Sequence, residues 1–331
     1  MVDGTRGSHS KVGSTKMTDI STATAGVDVS KLSLDAAVFE SNLHWKVTND
    51  RQGWQALVER LRRAGVCRVG LEATGRYSRP VIAHLRASGF EVIVHQPLQV
   101  KAFARARLQR AKNDRLDAML IATFTALIDW PERLKADERL TGLADLLVFI
   151  EQAEEDLVRA KTRLEHQQEP RLRRLLEADV RRAKQRRDRE LARLERALRQ
   201  HEDLAERLDL VQSVPGIGLR TAVALVVGMP ELGSISREEA ASLAGLAPFD
   251  HDSGKKTGQR CIVGGRLRVR TSLYAAALPA AFRWNPELGT FYRRLTAAGK
   301  THKVALVACA RKLLIYANTV LQRRTPWVAQ P

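Results

Sequence analysis

The chain has 331 residues, 44% of them hydrophobic and 5% aromatic, which is long enough for two domains and a sizeable core. Lys and Arg total 55 against 37 Asp and Glu, and the resulting charge of +18 disfavours self-association and favours a polyanionic partner such as nucleic acid. No apolar run approaches the ~20 residues that cross a bilayer and no secretory signal opens the chain, so a cytoplasmic location without a membrane partner is expected. Residues 1–18, rich in Gly, Ser and Thr as far as Lys16, read as a tag or disordered N-terminus around Met17.

From there to residue 135 short strands alternate with amphipathic helices. Ala25 to Val29, Leu32 to Phe39 and Trp45 to Thr48 read as three successive strands. Gln52 to Arg63 follows as a helix with Trp54, Leu57, Val58 and Leu61 on one face. Cys67 to Leu71 predicts a fourth strand, Pro80 to Ala87 a helix and Glu91 to His95 a fifth strand. Leu98 to Arg110 and Asp114 to Ile128 complete the unit as helices. This β-β-β-α-β-α-β-α order is that of a ribonuclease-H-like α/β domain.

Four acids stand out within it. Asp28 lies in the apolar run Ala25-Gly26-Val27-Asp28-Val29, Glu72 ends Val69-Gly70-Leu71-Glu72, and Asp114 and Asp117 share one helical face at i and i+3. A carboxylate on a buried strand costs several kcal/mol unless it is paired, protonated or bound to a cation. Two unit charges ~4 Å apart repel by about 4 kcal/mol at an effective dielectric near 20. Convergence of the four on a divalent cation, Mg²⁺ by its preference for oxygen ligands, answers all of them at once.

Residues 136–210 change character: glycine is absent after Gly142, and Leu143, Leu147, Ile150, Leu157 and Leu164, then Leu172, Leu175, Leu191, Leu194, Leu198, Leu204 and Leu208, recur at helical spacing. Two long helices broken near Pro170 are predicted, with an apolar stripe too narrow for a globular core. An antiparallel hairpin or a coiled coil with another subunit fits that stripe. Arg181 to Arg199 reads equally as a solvated face or as a phosphate-binding one.

Residues 211–331 form a mainly helical region. Val214-Pro215-Gly216-Ile217-Gly218-Leu219-Arg220 resembles the hairpin of a helix-hairpin-helix, in which Gly216 and Gly218 let backbone N–H groups approach a phosphate. A tight helix connection is the plain alternative. Leu243-Ala244-Gly245-Leu246-Ala247-Pro248 leads into Asp250-His251-Asp252-Ser253-Gly254-Lys255-Lys256, a polar loop whose Asp-Ser-Gly is by itself an ordinary turn sequence. Gly264-Gly265 opens a helix from Arg266 to Phe282, and Val304 to Leu321 supplies a last apolar helix. Lys255, Lys256, Arg260, Arg266, Arg268 and Arg270, with Arg220, are candidates for holding nucleic-acid phosphates. Cys67, Cys261 and Cys309 have no Cys-x-x-Cys spacing, which points away from a disulfide framework and a zinc site and towards reduced core filler.

The run Gly26-Val27-Asp28-Val29-Ser30-Lys31, the segment Glu72-Ala73-Thr74-Gly75-Arg76-Tyr77, the pair Asp114-x-x-Asp117 and the downstream Gly-Leu-Ala-Pro…Asp-Ser-Gly…Gly-Gly block resemble the insertion-sequence transposases of family one-ten, the bridge-RNA-guided recombinases. The likeness runs in order from Ala25 to Leu321. It implies a RuvC-like domain whose acidic tetrad, Asp28, Glu72, Asp114 and Asp117, binds Mg²⁺, then a coiled coil, then a transposase domain whose catalytic serine is Ser253. It also implies a structured guide RNA, donor and target double-stranded DNA, a tetramer built as a dimer of dimers, and a bacterial enzyme associated with the nucleoid when bound to DNA. A RuvC-like junction nuclease, with metal-activated water and a structural Ser253, is the rival enzyme. A non-catalytic nucleic-acid scaffold is the rival from another class.

Overall fold

The computed structural model describes residues 23–73, 75–108, 113–128, 137–249 and 260–328. The chain divides into two compact units, Met1–Arg133 and Leu134–Pro331. The N-terminal segment read as a tag, and the loop carrying His251, Ser253, Lys255 and Lys256, lie outside the described residues.

The first unit is built on strands β1 (Ala23–Val29), β2 (Ser33–Val38) and β3 (His44–Thr48), followed by helix α1 (Arg51–Arg63) and strand β4 (Val66–Glu72). Helix α2 (Arg79–Ala87), strand β5 (Glu91–His95) and helices α3 (Pro97–Ala106) and α4 (Asp114–Leu127) complete it. The five strands form one sheet in the order β3-β2-β1-β4-β5. β1 runs antiparallel to β2 and parallel to β4, and β4 is parallel to β5. This order and pairing are compatible with the ribonuclease-H-like expectation. Alternation sorts the two faces of β1. Ala25, Val27 and Val29 join a core with Leu57 and Leu61 of α1 and Val81 and Leu85 of α2. Local chemistry fixes the helix starts: Asp50 accepts from Gly53 N at 2.8 Å to cap α1, and Asn113 accepts from Leu116 N at 2.8 Å to cap α4.

The second unit opens with α5 (Glu138–His166) and α6 (Pro170–Arg199), which pack on each other as a hairpin. Glu169 caps α6 by accepting from Arg171 N and Leu172 N, and Pro170 takes the first helical position, where its missing N–H costs nothing. The stripe expected to be too narrow for a globular core is wide enough at the open end of the hairpin. There Leu147, Ile150, Leu194 and Leu198 are buried within the main core of the unit. Farther along the pair Val158 and Leu175 are more than half exposed. The second helix also ends earlier than its periodicity predicts: His201 starts α7 (Glu202–Gln212), and the bend turns Leu204 and Leu208 into the same core.

Helices α8 (Leu219–Gly228) and α9 (Arg237–Leu243) lead to two short strands, β6 (Pro248–Phe249) and β7 (Cys261–Ile262), which pair with each other. The two ends of the segment bearing Ser253 therefore meet in one ladder. Helix α10 (Leu267–Pro279) gives way to a π turn, Ala280–Trp284, then α11 (Pro286–Ala297) and α12 (His302–Arg323). The helix expected to continue to Phe282 thus stops at Pro279. Contrary to the expectation that no segment reaches bilayer length, α12 is long and apolar enough to cross one. Its Leu306, Cys309, Leu313, Leu314 and Ala317 are nonetheless packed inside the core of this unit. Only one cysteine is core filler: Cys309 is buried, with its thiol pushed up by burial to about 11, whereas Cys67 and Cys261 are exposed.

Candidate active site

β1 and β4 are parallel, so their C-terminal ends share one edge of the sheet, where open α/β sheets place ligands. Asp28 and Glu72 each follow the last paired residues, Val27 and Leu71, and stand side by side there. Gly26 and Gly70 are a registered pair two residues earlier, on the same face as the two acids. Helix α4 lies directly on those glycines. A Cβ on Gly26 would overlap the backbone of Ala118 and Ala122, and one on Gly70 would overlap the Thr125 side chain. This close seating carries the first turn of α4, with Asp114 and Asp117, toward the two strand acids.

Asp28 registers the convergence electrostatically. Burial, and then the negative charges of Asp117, Asp114 and Glu72, push its carboxyl from the ordinary 3.8 up to about 6. All four sequence-predicted acids thus act on one locus. Among the described residues no three acidic, histidine or cysteine side chains stand close enough to hold one ion as placed. An all-oxygen donor set under mutual repulsion nonetheless has the chemistry that a hard divalent cation relieves.

Sequence reasoning missed three neighbours. Asp35 lies directly opposite Asp28 across the β1–β2 ladder and is 4% exposed. His44 Nε2 lies 3.2 Å from its Oδ1, and Lys46 Nζ lies 3.2 Å from its Oδ2. The same Lys46 ammonium donates to Asp114 Oδ2 at 3.0 Å. Its bonds to the Asp114 and Asp35 carboxylates hold it above the usual lysine range. One cation therefore bridges a buried fifth acid to the α4 end of the tetrad. The signal that found Asp28, an acid inside an apolar strand, is also present in Leu34-Asp35-Ala36-Ala37-Val38.

In the second unit the basic candidates are engaged internally. Arg266 makes a two-pronged pair with Glu231 at 2.6 and 2.7 Å and also donates to Gly228 O. Arg270 donates to Gly245 O and Gly264 O, joining the two glycine turns. Arg220 lies 3.1 Å from Glu154 and Arg268 3.1 Å from Glu151, both acids of α5. Arg260 is exposed. Gly216 has φ 98°, a left-handed conformation that favours glycine, and Gly218 is exposed at the start of α8.

Two family models match the chain, one described as a transposase of the IS110 DEDD type over residues 25–169, the other as the transposase IS116/IS110/IS902 family over residues 208–293. The pilin gene-inverting protein of Moraxella bovis is 27% identical over 316 residues, covering 91% of this chain and 96% of that protein. The equivalent protein of Moraxella lacunata matches to the same extent. The uncharacterized 43.6 kDa protein of insertion element IS110 from Streptomyces coelicolor is 35% identical over 105 residues, 31% of this chain and 26% of that protein. An acid-bearing sheet edge in a mixed α/β unit, a helical second unit and family matches along both make this chain a member of the IS110 transposase family, an enzyme of DNA recombination.

Proposed function

We propose that the protein cuts and rejoins DNA strands through a covalent phosphoserine at Ser253, under the direction of a structured guide RNA. The observation that carries the acidic half of this reading is the upward push on Asp28 by burial and by three other carboxylates that bear on it. Asp28, Glu72, Asp114 and Asp117 are the residues that would hold Mg²⁺. When bound, the ion supplies charge neutralisation at the scissile phosphate and lowers the cost of deprotonating a nearby hydroxyl. The pairing of β6 with β7, which holds together the two ends of the segment that bears Ser253, supports the assignment of the serine.

The step balances without an external energy source. The Ser253 hydroxyl oxygen forms a new ester bond to phosphorus as the phosphorus–oxygen bond to one deoxyribose breaks. The serine proton is lost and the departing sugar oxygen gains one. Attack by the hydroxyl of the exchanging strand reverses the sequence and frees the serine, so phosphodiester energy is conserved. Two duplexes need at least two such sites. A tetramer arranged as a dimer of dimers would provide them, and sedimentation should then give four times the 36.9 kDa chain mass. The turn between α7 and α8, with left-handed Gly216 and open Gly218, supports a helix-hairpin-helix that touches phosphates. The partly exposed far ends of α5 and α6 support a coiled-coil contact between copies. Gene inversion, the activity in the name of the Moraxella relatives, is the kind of exchange this chemistry performs.

The test is a denaturing gel of protein with labelled DNA, guide RNA and Mg²⁺, comparing wild type with Ser253→Ala and Asp114→Ala. A labelled band at protein mass in wild type, absent from both variants, is expected. Cleaved DNA with no protein-linked band, undiminished in Ser253→Ala, would instead assign a hydrolytic nuclease.

A further inference from the structure

The end of α10 builds a second feature away from the acids. Pro279 has no N–H to continue the helical ladder, and the chain widens into the π turn, closed by Asn285 N donating to Ala280 O at 2.9 Å. The turn is locked to the Pro215–Gly218 hairpin at two points. Asn285, 3% exposed, donates its Nδ2 to Pro215 O at 3.1 Å. Gly216 approaches Ala280 so closely that a Cβ on the glycine would overlap it. Between hairpin and turn lies a cavity of about 530 Å³ whose wall includes Gly216, Gly218, Arg220 and Trp284.

Trp284 is 55% exposed although Ala280, Ala281 and Asn285 around it are buried. The Arg283 guanidinium sits over the indole, 4.7 Å from the ring centroid. A rigidly mounted indole facing an open cavity, with a cation on the ring, suits a flat, anionic guest. None of the side chains lining the cavity is acidic. Its volume is within the ~300–1,000 Å³ range of small-ligand sites. In a chain of charge +18 that guest is a piece of nucleic acid, and only an unpaired nucleotide exposes the face of its base.

We propose that this cavity receives one unpaired nucleotide of a single strand, its base stacked on Trp284 and its phosphate drawn to Arg283. The inference rests on the reading of the protein as one that handles separated strands, and adds to it a contact that is indifferent to base identity, since every base has a π face.

The test uses the full-length chain and labelled oligonucleotides of one length: single-stranded DNA, single-stranded RNA, duplex DNA, and single-stranded DNA made of abasic sites. Trp284→Ala is expected to weaken single-strand binding about tenfold and duplex binding much less, whereas Trp284→Phe retains most of the affinity. The abasic strand should bind wild type no better than the normal strand binds Trp284→Ala. Indole fluorescence should be quenched by the normal strand in wild type and far less in Trp284→Phe. The DNA and RNA arms show which strand fills the cavity. Equal losses on single strands and duplex, or no loss, would overturn the inference, as would a Trp284→Ala change in sedimentation mass with unaltered binding, which would make the indole a contact between copies. Absence of binding to every nucleic acid would remove the functional reading and this inference together. If Trp284→Ala fails to fold, the phenylalanine variant and the abasic strand still decide the question.

Discussion

Asp28 is partly buried and has three acidic neighbours from two other segments, β4 and α4, and this sets the sign of its contribution to stability. Its folded value is raised from 3.8 to about 6, so between those values the native state holds a proton that the unfolded chain has released. Protonation favours the fold, and the contribution, fully present below about 3.8, is lost progressively as pH rises from there through about 6. Asp28→Asn is therefore expected to melt at a higher temperature than wild type at pH 7.5 and by a clearly smaller margin at pH 5, inside the window between the two values, while losing all strand cleavage. Thermal melts at the two pH values check the first part, and equal differences at both would remove the electrostatic account. Lys46 is the second residue-scale handle. Its ammonium is the shared counter-charge of Asp35 and Asp114, so Lys46→Met should lower the melting temperature at pH 7.5 by a few degrees, with roughly that loss recovered when Mg²⁺ supplies the charge instead. A melt series with and without the ion measures it. The tetrad acids were legible because each interrupts an apolar pattern or shares a helical face. Asp35 carries the same local signal as Asp28, an acid within an apolar strand, but its pairing with Asp28 and the place of Lys46 beside it arise from strand register, which no local pattern carries.

At the scale of elements, the acidic site depends on how closely α4 sits on the sheet. Gly26→Ala puts a methyl group into the α4 backbone and should cost about 1–3 kcal/mol as the helix is lifted, which also withdraws Asp114 and Asp117 from Asp28. Urea unfolding gives the stability change. A fall of the Asp28 carboxyl value from about 6 toward the ordinary range, followed by NMR titration, reports the separation. Every strand of the first unit was legible from apolar runs bounded by turn residues. The second unit was harder. α9 has only seven residues, too few for a periodic pattern, although Ser236 and Glu239 form its capping box. The start of α11 at Asn285-Pro286 carries a strong cap-and-proline signal, hidden in the sequence by the helical pattern of α10 running on to Phe282. The break before α7 contains neither glycine nor proline; burial of Leu204 and Leu208 places it, and that is a tertiary fact.

Over the whole molecule, a charge of +18 coexists with many internally satisfied arginines. Arg266, Arg270, Arg220 and Arg268 support the second unit through Glu231, the glycine turns and α5. Binding to nucleic acid therefore draws on the remaining basic surface, and raising salt from 50 to 200 mM should weaken it by at least about tenfold through counterion release, as anisotropy titrations will record. A Glu231→Gln variant, by contrast, should unfold more easily without changing that salt slope. It leaves Arg266 without its two-pronged partner, so its effect is confined to the fold.

The paired glycines under α4 also bear on how the chain tolerates change. Neither Gly26 nor Gly70 has a side chain to offer a substrate, yet each position admits nothing larger than hydrogen. In a library of all single substitutions selected for recombination, columns 26 and 70 would be as empty as those of the acids two residues on. A map of functional intolerance would then enlarge the apparent catalytic centre by two positions whose entire contribution is to be thin.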